Sequence, residues 1–119
     1  MSETRYQGSC HCGAVKVAAT LDLSKPVTAC NCSICARGGW YLVFVPETSV
    51  ELSGQDNLTD YQFAKKHIHH AFCKTCGIRP FAYGENPADG KMMYAVNVRC
   101  LDGVDLEKLE IQKYDGKSL

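Results

Sequence analysis

Apolar and polar residues alternate along most of this chain with the two-residue period of strands rather than the 3.6-residue period of helices. Val15, Val17 and Ala19 would share one face, with Ala14, Lys16 and Ala18 on the other. The β-branched and aromatic run 40–45 stops at Pro46-Glu47, and a second short run, 48–52, stops at Ser53-Gly54. Runs 59–63, 68–72, 80–83 and 92–98 follow, with turn-forming residues filling 84–90. Seven or eight short strands at near-regular spacing predict an all-β domain. Only 33–37 and 105–109 read as helical, about a turn each. No repeat, linker or low-complexity tract interrupts the pattern, so one domain over 1–119 is the expected division.

Composition narrows the function classes. Lys plus Arg equals Asp plus Glu at 13 each, giving a formal net charge of zero and a pI near 6.9. A nucleic-acid surface normally needs a basic excess. The nearest approach here is Lys65-Lys66-His67, too short for that role and read as a solvated turn. The amino-terminal residues lack an apolar run, and no stretch nears the ~18 apolar residues of a membrane span. The chain is therefore expected in the cytoplasm, with no nucleic acid and no membrane as partner. In that reducing setting its eight cysteines are metal ligands rather than disulfides.

Cysteine placement changes the picture most. Seven of the eight fall into three groups: Cys10-x-Cys12, Cys30-x-Cys32-x-x-Cys35 and Cys73-x-x-Cys76. Close pairs brought from distant parts of a chain suit a tetrahedral zinc site, each turn offering two sulfurs to one side of the ion. Two pairs close one site, while a trio leaves an open fourth position, the feature that separates catalytic zinc from structural zinc. Each pair is followed by a glycine, Gly13 or Gly77, whereas the trio runs into Ala36-Arg37-Gly38-Gly39. That difference groups the two pairs together and sets the trio apart, although spacing alone does not fix which groups meet. The trio's fourth ligand is either exogenous or supplied by Cys100 or a histidine.

Three thiolates and one Zn²⁺ sum to −3 + 2 = −1, so such an ion is a modest activator of water. It can still take a thiol, lower its pKa and hold it as a thiolate. Arg37 after the trio could pair with a carboxylate, and Gly38 and Gly39 permit close backbone approach. His70 reads first as a packing histidine and second as a proton shuttle at neutral pH. His11 reads as a partly exposed turn residue, Cys100 as a small buried hydrophobe, and Asn97 and Asp102 as supports of turn geometry.

Four segments in order, G-S-C-H-C-G (8–13), C-N-C-S-I-C (30–35), H-A-F-C-K-T-C-G (70–77) and V-N-V-R-C-L-D-G (96–103), resemble the signature of the glutathione-dependent formaldehyde-activating family. That family includes relatives of centromere protein V. The resemblance implies an Mss4-like, zinc-containing β fold (a β-tent) with one or two short helical turns. It implies two zinc ions, a structural one on Cys10, Cys12, Cys73 and Cys76 and a catalysis-linked one on Cys30, Cys32 and Cys35. It implies a carbon–sulfur lyase that joins a thiol such as glutathione to a small aldehyde such as formaldehyde. The competing expectation is a non-catalytic zinc module that binds a protein partner.

Overall fold

The computed structural model describes residues 3–63 and 68–115. The expected turn at Lys65-Lys66-His67 lies outside the described residues. Ten strands are found among them: β1 (Glu3–Ser9), β2 (Lys16–Asp22), β3 (Val27–Cys30), β4 (Leu42–Pro46), β5 (Val50–Ser53), β6 (Leu58–Tyr61), β7 (Ile68–Cys73), β8 (Phe81–Glu85), β9 (Met92–Asn97) and β10 (Ile111–Tyr114). One six-residue helix, α1 (Ser33–Gly38), interrupts them. The domain is all-β with only short helical turns. The turn expected over 105–109 is a 3-10 turn, Leu106–Lys108, capped by the Asp105 side chain accepting from Glu107 N–H.

Three of these strands escaped the sequence pattern, for a shared reason. β1 buries only Gly8, β3 has four residues and β10 is exposed throughout, so none carries a readable alternation. β3 and β10 pair in parallel, Val27 with Ile111 through Cys30 with Tyr114, a contact that only the folded chain defines. Positions 48 and 49, expected in a strand, lie instead in a 3-10 turn over Glu47–Ser49. Pro46 lacks a backbone donor, which ends the preceding ladder.

The strands form a three-stranded sheet, β1-β2-β5, and a seven-stranded sheet, β10-β3-β4-β9-β8-β7-β6. Val17, Ala19 and Leu21 alternate inward from β2 and meet Val27, Val45, Phe81 and Val96 in the main core. Phe81, Val27 and Val96 are wholly buried. Burying such a side chain contributes about 1.5–3 kcal/mol. A second, smaller cluster of Cys35, Leu42, Ala82 and Ala95 sits under α1, with Cys30, Cys32, Ile34 and Trp40 packed against it. The cysteine trio thus rests on its own small apolar base, while Cys10 and Cys73 belong to the main core.

Candidate active site

The fold brings the two cysteine pairs together. Cys10 and Cys12 lie in the β1–β2 turn, Cys73 ends β7, and Cys76 follows in the next turn. The four sulfurs all lie within 4.8 Å of one another, with Cys12 Sγ 3.7 Å from Cys10 Sγ and 3.6 Å from Cys73 Sγ. Gly13 and Gly77 adopt φ values of 82° and 80°, the left-handed conformation that turns each pair back on itself at no Cβ cost. Backbone N–H groups converge on the sulfurs: Val15 on Cys10 at 3.4 Å and Thr75 on Cys73 at 3.4 Å. The Asn57 side-chain amide donates to Cys73 Sγ at 3.2 Å. The backbone N–H groups of Cys76 and Thr75, which outweigh the desolvation opposing them, draw the Cys73 thiol down to about 6. Cys76 is lowered as well, by backbone N–H groups, while at Cys12 desolvation and the neighbouring thiols outweigh the backbone N–H of Ala14 and push the thiol up to about 11. A soft four-sulfur donor set at this spacing fits zinc.

The trio forms a second group. Cys30 ends β3, Cys32 caps α1 and Cys35 lies within it, buried. Their sulfurs also lie within 4.8 Å of one another, and Cys32 N–H donates to Cys30 Sγ at 3.4 Å. Burial pushes the Cys35 thiol up to about 12. Desolvation acts the same way on Cys32, but hydrogen bonds from the Cys35 and Ile34 backbone and from the Cys35 and Cys30 side chains together outweigh it and hold that thiol below its usual value. Among the described residues no fourth Cys, His, Asp or Glu joins this group. Cys100 stands apart, half-buried, its Sγ 3.8 Å from the Arg79 carbonyl oxygen and its pKa raised to about 11 by burial.

The trio opens on a cavity of about 470 Å³ whose walls include Leu42, Phe44, Ala82, His70, Arg79 and Tyr114. A neighbouring cleft of about 680 Å³ is lined by Arg37, Gly38, Trp40, Arg79, Asn97, Arg99 and Cys100. His70, Arg79 and Ile34 line both spaces. Arg37 and Gly38 therefore stand where a ligand of that cleft would meet them. A Cβ on Gly38 would run into the Trp40 ring, so the residue is fixed by packing. Gly39 lies off the cleft wall, and its carbonyl accepts from Arg99 Nε at 3.1 Å.

Arg79 was not singled out by sequence reasoning. It is 5% exposed, stacks at 3.6 Å on the Trp40 ring, and donates from Nη1 to His70 Nδ1 at 2.7 Å. Since a guanidinium has no acceptor, His70 Nδ1 must be bare and its proton must sit on Nε2. Burial, reinforced by the Arg79 charge, lowers the His70 pKa to about 4, so the ring is neutral at pH 7. His70 is thus both packed, against Phe63 at 5.2 Å, and defined in tautomer. Asn97 holds this assembly: its Nδ2 donates to the Arg79 carbonyl at 3.0 Å and its Oδ1 accepts from Arg99 N–H at 3.2 Å. The available signal for Arg79 was a lone arginine between Ile78 and Pro80-Phe81, inside a run entering the core.

An all-β fold holding one closed four-thiol cluster and one three-thiol cluster on a walled cavity defines a thiol-rich, zinc-type β protein. The profile of the family described as "Glutathione-dependent formaldehyde-activating enzyme" matches residues 5–114. The chain belongs to that family, and its fold is Mss4-like. The crystal structure of a Rhodobacter sphaeroides protein, solved by structural genomics, superposes with a TM-score of 0.78 at 32% sequence identity. The match covers 91% of this chain and 99% of that one. Among the described residues no helix is long and apolar enough to cross a membrane.

Proposed function

We propose that this chain, as one domain, is a zinc-dependent carbon–sulfur lyase that joins a thiol such as glutathione to a small aldehyde such as formaldehyde, or splits the adduct. The observation that carries this reading is the three-thiol cluster, without a fourth protein donor among the described residues, facing a walled cavity of about 470 Å³. Cys10, Cys12, Cys73 and Cys76 would hold a structural zinc, and Cys30, Cys32 and Cys35 the catalytic one. Zinc held by the trio supplies an open position at which a bound thiol loses its proton more readily.

The remaining work falls to the chain's own side chains. In the forward direction the substrate sulfur adds to the carbonyl carbon, the C=O π pair moves onto oxygen, and a proton completes the hydroxyl. The reverse breaks that carbon–sulfur bond. His70, with its proton on Nε2, offers a donor to the developing oxygen charge, and the buried Arg79 cation lowers the energy of negative charge in the cavity. The apolar walls limit water and so the competing hydration of the aldehyde. Arg37 and Gly38 would contact the polar arms of the thiol from the adjoining cleft, and Gly39 would act by fixing Arg99. Eight unpaired thiols accord with a reducing, cytoplasmic setting.

Thiols and formaldehyde combine without an enzyme, so the test is exchange at equilibrium. Magnetisation transfer between formaldehyde hydrate and S-hydroxymethylglutathione should accelerate with wild-type protein and return to the buffer rate with Cys32→Ser. Exchange no faster than in buffer, across several thiols and aldehydes, would leave a zinc-binding module in place of an enzyme.

A further inference from the structure

We propose that the arginine-lined cleft is a carboxylate-binding site anchored by Arg79, which makes Arg79 a specificity-determining residue of this protein. Three arginines, Arg37, Arg79 and Arg99, line this one space, and no Asp or Glu does. The Arg5–Glu51 ion pair and the His69–Asp60 contact lie elsewhere. Arg37 is partly engaged by the Ser33 carbonyl and Arg99 by the Gly39 carbonyl, both neutral acceptors. Among the described residues no carboxylate lines the cleft to answer its charge.

Arg79 carries the argument furthest. The residue is only 5% exposed, and a buried cation ordinarily needs an ionic partner with matching hydrogen bonds. Its one side-chain hydrogen bond goes to neutral His70 from Nη1, and one face is covered by Trp40. The Nε nitrogen has no partner, the one buried side-chain nitrogen or oxygen so left among the described residues. Cys35 and Cys32 act on Arg79 through space, without a hydrogen bond to it. Burial brings its pKa to about 10, so it stays cationic at neutral pH. A guanidinium grips a planar carboxylate as a fork through Nε–H and one Nη–H, and Nε is the nitrogen left here without a partner. Since Arg79 lines both spaces, a ligand seated on it extends toward the trio. In the reaction proposed above, on which this extension alone rests, the site selects thiols that bear a carboxylate.

The probe is a pair lacking a free thiol, so neither thiol ligation nor catalysis enters the readout. S-methylglutathione and its dimethyl ester are titrated calorimetrically into the zinc-loaded wild type and into Arg79→Gln. The acid should bind wild type about tenfold or more tightly than the ester, as expected for a charged hydrogen bond. The preference should shrink at high salt and largely vanish in Arg79→Gln. Should that variant fail to fold, the Arg79 Nε–H resonance of wild type, assigned through its proximity to the Trp40 ring, must shift as the acid binds. Equal affinity for acid and ester, binding of neither, a preference that persists in folded Arg79→Gln, or an unmoved Nε–H at saturation would each overturn the assignment.

Discussion

Replacing Cys73 by serine should prevent folding, whereas replacing Cys32 should leave a folded protein, because the two sulfurs close very different lengths of chain. Cys12 and Cys73 stand 61 residues apart with their sulfurs 3.6 Å from each other, while Cys30 and Cys35 are five residues apart. With loop-closure entropy growing as (3/2)RT ln n, the longer clasp restrains the unfolded chain by about 2 kcal/mol more than the shorter one. Cys73 is also fully buried in the main core, where its sulfur receives the Asn57 amide and the Thr75 N–H. Metal binding at a structural four-sulfur site contributes about 10 kcal/mol or more, comparable with the whole stability of a domain of this size. Cys32, half-buried beside a four-residue apolar cluster, should cost about 1–2 kcal/mol, or roughly a 4–8 °C fall in Tm. Far-UV circular dichroism and thermal melts of both variants, with zinc content measured alongside, decide the matter. Equal loss of structure in the two would refute the division between a clasp of the fold and a local site.

Three other outcomes follow from the same geometry. Under limiting chelator the trio should empty before the four-sulfur site, giving a folded protein with one zinc by elemental analysis; simultaneous loss of both ions would count against an open site. The His70 ring should titrate near 4 in the folded protein against 6.5 unfolded. Because the folded pKa is the lower one, the unfolded chain takes the proton first, and stability falls as pH drops from 6.5 towards 4. An NMR titration placing His70 near 6.5 would contradict its burial against Arg79. Asn97→Ala removes three hydrogen bonds, the weakest to Cys100 Sγ, and strips the Arg79 carbonyl of its amide donor, at a cost of about 2–3 kcal/mol in urea unfolding, and a loss under about 0.5 kcal/mol would show the amide to be dispensable.

Local features were legible in the residue order because their physics is local. The two-residue alternation of Val17, Ala19 and Leu21 in β2 follows from the pleat of a strand beside a core. The stop at Pro46 and the single helical turn after Cys32 were equally readable. So were the left-handed glycines, since a turn that folds two sulfurs onto one ion needs a residue free of a Cβ. Spacing also separated the two pairs from the trio, and the fold places their sulfurs accordingly.

Tertiary structure alone decided the rest. β10 has no buried residue, and its parallel pairing with β3 joins segments 84 positions apart, as Ile111 with Val27, which no window of sequence can hold. That Cys100 stays out of the trio depends on where its 3-10 turn lies against the Arg79 carbonyl, a position set by Asn97. Arg79 is the plainest instance. Its neighbours Ile78 and Pro80 hint at the core, but its burial arises only when the fold brings His70, Trp40 and the trio's cavity around it. Charge on a side chain is written in the sequence, but the solvent and partners that give the charge its consequence are assembled by packing.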